Sequence, residues 1–459
     1  MKIVIVGDGK VGYALTEQLS REGHDITVID QDTEVLQRLV ETLDVLVIGG
    51  NGASLEVQRE AEVGKSDLLI AVTTADEINL LCCILAKKLG CPNTIARVRN
   101  LEYRQQTIFL REELGLSMTI NPEQSAAVEM YRLLQFPSFL KRESFVRGLV
   151  ELVELKVSES SALCGKPLEQ LYTVAGVKVL VCTVERGDQV FIPSGSFRLQ
   201  AGDKITVTAA RSSLTRLIKN LAIAKQKIRR VMLVGGSRIA VYLTQMLLAV
   251  GVEVKIIEKD PAKCRTLSDL FPQALIIQGD GSSQEVLTSE GILDTDAVVT
   301  LTDMDEENLI ISMYAGDIGV PKAITKINRV EYAAMFENRG LDSIVSPKLI
   351  SANEIVRYVR DMQNSGDGAI IALHRIVNGR AEALEFKASA GTRQLHVPLH
   401  QVQLRPNVLI ACISRAGKVI IPGGDDCIQA GDTVVVVTLA EETIRELNDI
   451  FLPQPLHND

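Results

Sequence analysis

MKIVIVGDGKVG, residues 1–12, sets a short β-branched run directly against a glycine-rich turn, and the residues after it, 10–22, carry the apolar spacing of a helix. Each glycine of Gly7-x-Gly9-x-x-Gly12 has a physical purpose in that setting. Gly7 permits a tight turn out of the strand, Gly9 lets a pyrophosphate approach the backbone, and Gly12 lets the helix pack close to the strand. The helix start offers free N–H groups and the positive end of a dipole, which together favour an anion. A second strand, ITVID (26–30), ends in Asp30, whose carboxylate suits a ribose diol and repels a 2′-phosphate. NAD(H) is therefore favoured over NADP(H); ATP and ADP carry the same diol and stay open.

Working outward, β-branched runs alternate with helical patterns: a helix to about residue 43, VLVIG, a short helix, LLIAVT, a longer helix, then TIARVR. That order predicts a parallel, doubly wound sheet, whose ligand lies at the carboxyl ends of the strands. Those ends add Asn51-Gly52 and Thr73-Thr74, which suit ribose and phosphate contacts or simply cap the next helix. Asp76 and Glu77 fall in a first helical turn, where the dipole alone favours acids. Arg97 and Arg99 share a strand face and either reach the phosphates or pair with a carboxylate. From about Gly148 the texture becomes strand-rich, with turns at Gly187-Asp188 and Gly202-Asp203 and a final helix at 212–219, predicting a small α+β domain.

The chain then repeats itself at an offset of about 228 to 229 residues. RRVMLVGGSRIA answers residues 1–12, VKIIE answers ITVID, and Asp76-Glu77-x-Asn79 returns as Asp305-Glu306-x-Asn308. FIPSG (191–195) and Gln200-Ala201-Gly202-Asp203 return as IIPGG (420–424) and Gln429-Ala430-Gly431-Asp432. The expected architecture is α/β: two Rossmann-like doubly wound parallel-sheet domains, 1–136 and 228–360, each followed by a small α+β domain, 137–221 and 366–450. The basic stretch 222–230 reads as a solvated linker. In the second copy Ser237 and Ala240 replace Gly9 and Gly12; a Cβ at Ser237 crowds a pyrophosphate, while Glu258 retains the diol acceptor and Arg238 offsets phosphate charge. That unit either binds a nucleotide or is a structural copy. The helix 122–134, apolar at Val128, Tyr131 and Leu134, packs either between Rossmann-like domains or within its own.

Composition narrows the function. Apolar residues at 46% and charged residues at 23% describe a globular chain. Forty-nine Lys+Arg against 58 Asp+Glu leave a net charge of −9, a poor match to a nucleic-acid backbone. No apolar run reaches the ~18 residues a membrane span needs, and the four-residue run before Gly7 is too short for a signal peptide, so a cytoplasmic chain is expected. Eight scattered Cys without a CxxC pair suit reduced, buried thiols. His396-x-x-x-His400 has metal-like spacing, but Pro398 breaks the helix that spacing requires, and no metal site is expected. With no His/carboxylate or Lys site for hydride transfer, an NAD-dependent oxidoreductase ranks second, and a nucleotide-independent assembly protein third.

The ordered segments MKIVIVGDGKVG, ITVID, AVTTADEIN and IARVRNLEY closely resemble the TrkA family of bacterial Trk-system potassium uptake regulators. The resemblance spans essentially the whole chain. It includes the family's tandem plan of two units of the RCK type (regulating the conductance of potassium), each an RCK_N and an RCK_C part, with Leu163-x-Gly165-Lys166-x-Leu168 matching the latter. It implies a non-enzymatic, peripheral cytoplasmic subunit at the inner face of the plasma membrane. Such a subunit forms a homo-oligomeric ring and gates a TrkH-type potassium channel or transporter by binding NAD(H) or ATP/ADP. The implied contacts are Gly7, Asp8, Gly9, Lys10, Val11, Asp30, Asn51, Gly52, Thr73, Thr74 and Arg97. In the second unit they are Gly235, Gly236, Ser237, Arg238, Ile239, Glu258, Asp280, Thr302, Asp303 and Lys326. It also raises cyclic di-AMP as an RCK_C ligand near Ile192-Pro193 or Ile421-Pro422, residues that read equally as an edge strand and turn.

Overall fold

The computed structural model describes residues 1–100, 103, 113–137, 139–140, 142–159, 161–171, 173, 176–213, 216–217, 220, 227–329, 341, 343–363, 370–442 and 444–452. Glu331-Tyr332, where the Glu102-Tyr103 pair of the first copy recurs, lie outside them together with Glu102 and linker positions 222–226, as do 214–215 and 218–219 of the helix expected at 212–219.

The first sheet is parallel, in the order β3 (Leu46–Gly49), β2 (Asp25–Asp30), β1 (Lys2–Val6), β4 (Leu68–Ala71), β5 (Asn93–Arg97), β6 (Met118–Ile120). The side-chain alternation of β1 splits its apolar run between two layers. Ile3 and Ile5 meet α1 (Lys10–Arg21) and α2 (Thr33–Thr42), while Val4 and Val6 meet α3 (Leu55–Glu60) and α4 (Asp76–Leu89). Both faces are covered, which is why these strands read as continuous apolar runs. The second sheet repeats the order with β14 (Leu275–Gln278), β13 (Glu253–Glu258), β12 (Arg230–Val234), β15 (Ala297–Thr300), β16 (Lys322–Lys326) and β17 (Ile344–Val345). Strands β6 and β17 were not anticipated; three and two residues are too few to show a period.

The outer helices of the two units are exchanged. Helix α5 (Pro122–Gln135) starts cleanly, with Asn121 Oδ1 accepting from Gln124 N (2.9 Å) and Pro122 at its first position. It then leaves its own sheet and packs on α6 (Arg238–Ala249) of the second unit, beside α7 (Pro261–Leu270). Its buried residues are Ala126, Ala127, Met130, Leu133 and Leu134, whereas Val128 and Tyr131 of the expected stripe are half-buried. The small alanines let two helices approach closely, and that contact outweighs the larger side chains in setting the buried face. In return α10 (Pro347–Gln363) seats Ala352, Ile355, Val356 and Val359 against α1 of the first unit. Each fully buried branched side chain there contributes about 1.5–3 kcal/mol. On the opposite faces lie α8 (Gln284–Ser289) and α9 (Asp305–Asp317) in the second unit, as α3 and α4 do in the first.

Two antiparallel five-stranded sheets complete the chain. The first runs β10 (Gln189–Phe191), β9 (Val179–Arg186), β11 (Lys204–Ala210), β8 (Val150–Lys156), β7 (Arg142–Phe145). The second runs β18 (Ile370–Ile376), β19 (Ala381–Lys387), β22 (Thr433–Leu439), β20 (Val408–Arg415), β21 (Lys418–Ile420). They share one apolar layer in which Phe145, Leu152 and Cys182 meet Ile376, Ala383 and Cys412. The repeated Gly-Asp turns are held alike: Asp203 and Asp432, each 1% exposed, accept from Arg186 and Arg415 at 2.8–2.9 Å. Among the described residues no helix is long and apolar enough to cross a membrane.

Candidate functional site

The glycine loop between β1 and α1 shows which of its glycines the fold itself requires. Gly7 has φ +91°, and a Cβ there would stand 2.9 Å from the Thr73 backbone. A Cβ on Gly12 would fall 2.0 Å from the Gly7 carbonyl oxygen. At Gly9 a Cβ would meet nothing within 4 Å. Internal packing thus explains Gly7 and Gly12 and leaves Gly9 unexplained, with open space above its backbone at the start of α1, as a bound anion requires.

Asp30, at the end of β2, holds the loop from beneath: Oδ2 accepts from Asp8 N (2.6 Å) and Oδ1 from Asp32 N (3.0 Å). Each oxygen keeps a lone pair for a further donor. The Asp8 side chain turns inward instead, 4% exposed, onto the Thr16 hydroxyl (3.2 Å). Lys10 is exposed and Val11 is buried in the sheet-facing layer. Asn51 forms a turn with Ala53 N (2.9 Å), and Gly52 is pinned under β1, where a Cβ would meet Val6 at 2.1 Å.

The fourth and fifth strand ends are tied by a residue whose role the sequence reading missed. Asn79, fully buried on α4, accepts from Thr73 N (2.8 Å) and the Thr73 hydroxyl (2.7 Å), and donates to the Arg97 carbonyl (2.9 Å). Asp76 likewise accepts from Arg99 N (2.8 Å) and Asn100 N (2.7 Å), more than the dipole role expected of it. The available signal was recurrence of both in the second copy. The Thr73 hydroxyl is therefore engaged in bracing the loop, while Thr74 is exposed and its carbonyl accepts from Arg99 (2.8 Å). Arg97 donates to the Thr73 carbonyl, and its Nε is buried with no protein partner. Burial, then the Arg99 charge, push the Arg97 guanidinium down to about 10. Such a group gains strongly from an anion.

The second cleft keeps this frame. Glu258, 6% exposed, reaches back to accept from Gly236 N (2.6 Å) and Asp260 N (2.8 Å). Gly235 has φ +103°, Ser237 begins α6 with its hydroxyl buried and unpartnered, and Ile239 is buried. Asp280 holds Ser282 N (2.9 Å) and its hydroxyl (2.7 Å), which lowers the carboxyl below its usual range. Asn308 brackets Thr302 N (2.9 Å) and the Lys326 carbonyl (3.1 Å). Lys326 donates to the Thr302 carbonyl (2.7 Å) and lies 4.0 Å from exposed Asp303; burial lowers its ammonium.

The two clefts feel each other. Arg238 of the second loop makes a small contribution to the depression of Arg97, behind burial and Arg99, and Lys10 of the first loop a small one to that of Lys326, behind burial. Each strand-end cation thus has a basic residue of the opposite loop in its field. The described residues hold no cluster able to bind a metal.

Two Rossmann-like parallel-sheet units, each followed by an antiparallel sheet and joined by exchanged helices, define a tandem RCK-type architecture. The same fold occurs in the GsuK RCK domain (TM-score 0.62, 16% identity, 96% of this chain and 92% of that one) and in the GsuK channel bound to NAD (TM-score 0.61, 16% identity, 96% and 77%). The TrkA-N domain model matches residues 3–122 and 231–347, and the TrkA-C domain model matches 152–222. The chain is 35% identical over 448 residues to the Trk system potassium uptake protein TrkA homolog 1 of Methanosarcina mazei, covering 96% of this chain and 98% of that one. It is 32% identical over 457 residues to the Trk system potassium uptake protein TrkA of Halomonas elongata, covering 98% of each. The chain belongs to the TrkA family.

Proposed function

We propose that this chain is a non-enzymatic regulatory subunit of a potassium uptake system, peripheral at the inner face of the plasma membrane, which binds NAD(H), or ATP and ADP, and gates a TrkH-type membrane protein. The carrying observation is the first glycine loop itself: open space over Gly9 at the start of α1, Asp30 beneath the loop at the end of β2, and a buried Arg97 Nε with no protein partner at the end of β5. A bound nucleotide gates by favouring one relative placement of the two units over another. Gating follows only from unequal affinity for the two placements, since a ligand bound equally by both shifts nothing. Gly7 to Val11, Asp30, Asn51-Gly52, Thr73-Thr74 and Arg97 form the first site. Gly235 to Ile239, Glu258, Asp280, Thr302-Asp303 and Lys326 form the second. The chain divides at 1–136, 137–221, 228–360 and 366–450.

The ring is favoured by α4 and α9. The exchanged helices cover α1 and α6, but on the opposite faces Leu81 of α4 is 42% exposed and Ile310 of α9 is 66% exposed. These equivalent positions each expose one large apolar side chain, where a neighbouring copy in a ring would dock. Calorimetric titration with NAD⁺, NADH, ATP and ADP tests the nucleotide reading. Asp30→Ala is expected to weaken binding about tenfold or more, about 1.5–3 kcal/mol. Absence of binding by all four ligands would sink it.

A further inference from the structure

Asp8 is the one position in the first glycine loop where the repeat changes an acid for a neutral residue, Gly236. Its carboxylate lies against the start of α1, with Oδ1 on the Thr16 hydroxyl and 3.5 Å from where a Gly12 Cβ would sit. Oδ2 is buried and has no hydrogen-bond partner. An ionised carboxylate with a bare buried oxygen is costly, and protonation relieves that cost without moving any neighbour. The charged groups facing it are Asp30 at the end of β2 and Arg38 on α2; α1 contributes the Thr16 hydroxyl and the positive end of its dipole. Burial, reinforced by Asp30, outweighs Thr16 and Arg38 and brings the Asp8 carboxyl up to about 6.

We propose that seating a pyrophosphate on the first glycine loop is coupled to uptake of one solvent proton at Asp8, so that this site binds its nucleotide more tightly as pH falls. The inference rests on the nucleotide reading given above. The pyrophosphate brings negative charge to the far side of the same loop, where intervening backbone and low exposure limit screening. Added negative charge favours the protonated acid, and by reciprocity the protonated acid favours the anion. The second cleft, with Gly236 in this place, lacks the coupling. The regulator would then report cytoplasmic acidity and nucleotide level together.

The test uses the full chain and NAD⁺, whose pyrophosphate does not titrate near neutrality. Affinity is measured by calorimetry from about pH 5.5 to 8 in pairs of buffers with different ionisation heats, which count protons taken up. The expected result is about a fivefold gain in affinity from pH 8 to pH 6 with fractional proton uptake. In Asp8→Asn, and in Asp8→Gly, the residue of the second unit, if the first variant folds poorly, the slope of NAD⁺ affinity with pH and the proton uptake should vanish whatever the affinity itself. Binding that is flat with pH in the unaltered chain, or a slope that survives in both variants, overturns the proton coupling alone. No binding at any pH overturns the nucleotide reading beneath it.

Discussion

The two Rossmann-like units differ in a patterned way. Residues that brace the strand ends are kept: Asn79 and Asn308 make the same three backbone connections, and Gly52 and Gly281 are pinned alike beneath Val6 and Val234. The residues that change face the cleft or its loop: Gly9 becomes Ser237, Gly12 Ala240, Asp8 Gly236, Asp30 Glu258 and Arg97 Lys326. Ala240 carries a Cβ of the kind that in the first unit would overlap the Gly7 carbonyl, so a wider spacing of α6 from its loop is expected. The bracing contacts recur in both units, whereas the residues proposed to meet a ligand differ between them.

The exchanged helices offer the hardest blow to this comparison. Ile355→Ala, which empties space between α10 and α1, should cost about 3–4 kcal/mol by denaturant titration, and Leu133→Ala on α5 about the same. A cost under about 1 kcal/mol at either place would mean that the exchange does not bind the units together. Next, Gly12→Ala transplants the second unit's residue into the first loop. The overlap with the Gly7 carbonyl should cost about 2–3 kcal/mol and weaken nucleotide binding at least tenfold. Free acceptance of that methyl would show that the two loops are not differently spaced.

Much of this was legible in the residues, for definite reasons. Strands buried on both faces read as apolar runs, Gly-x-Gly-x-x-Gly marks a backbone that must turn sharply, and duplication doubles every signal. What stayed hidden depends on distant partners. Helix α5 packs Ala126 and Ala127 into one core with α6, about 120 residues on, and Asn121 Nδ2 donates to the Tyr242 hydroxyl (2.9 Å) at its start. The inward turn of Asp8 was equally hidden, because a loop acid read alone points as readily to solvent as to Thr16. Asn79 was visible as a repeat, but its task needed the strand ends in place.

The finest contrast lies in Glu129-x-x-Arg132 on α5 and Glu354-x-x-Arg357 on α10, the same pattern on the two exchanged helices. Burial raises both carboxyls, but the Ser125 hydroxyl donates to Glu354 (3.2 Å), whereas Glu129 faces the Glu143 charge and rises to about 7. A carboxyl raised on folding contributes stability that is complete below its unfolded value of about 4.5 and is lost as pH climbs through about 7. The unaltered chain should therefore lose about 1–2 kcal/mol relative to Glu129→Gln between pH 5 and pH 8. Glu354→Gln should show a smaller gain, because it also gives up the charge-assisted bond from Ser125. Parallel unfolding curves for the unaltered chain and Glu129→Gln across that range would mean that Glu129 reaches water and that the two helices carry their acids in equivalent surroundings.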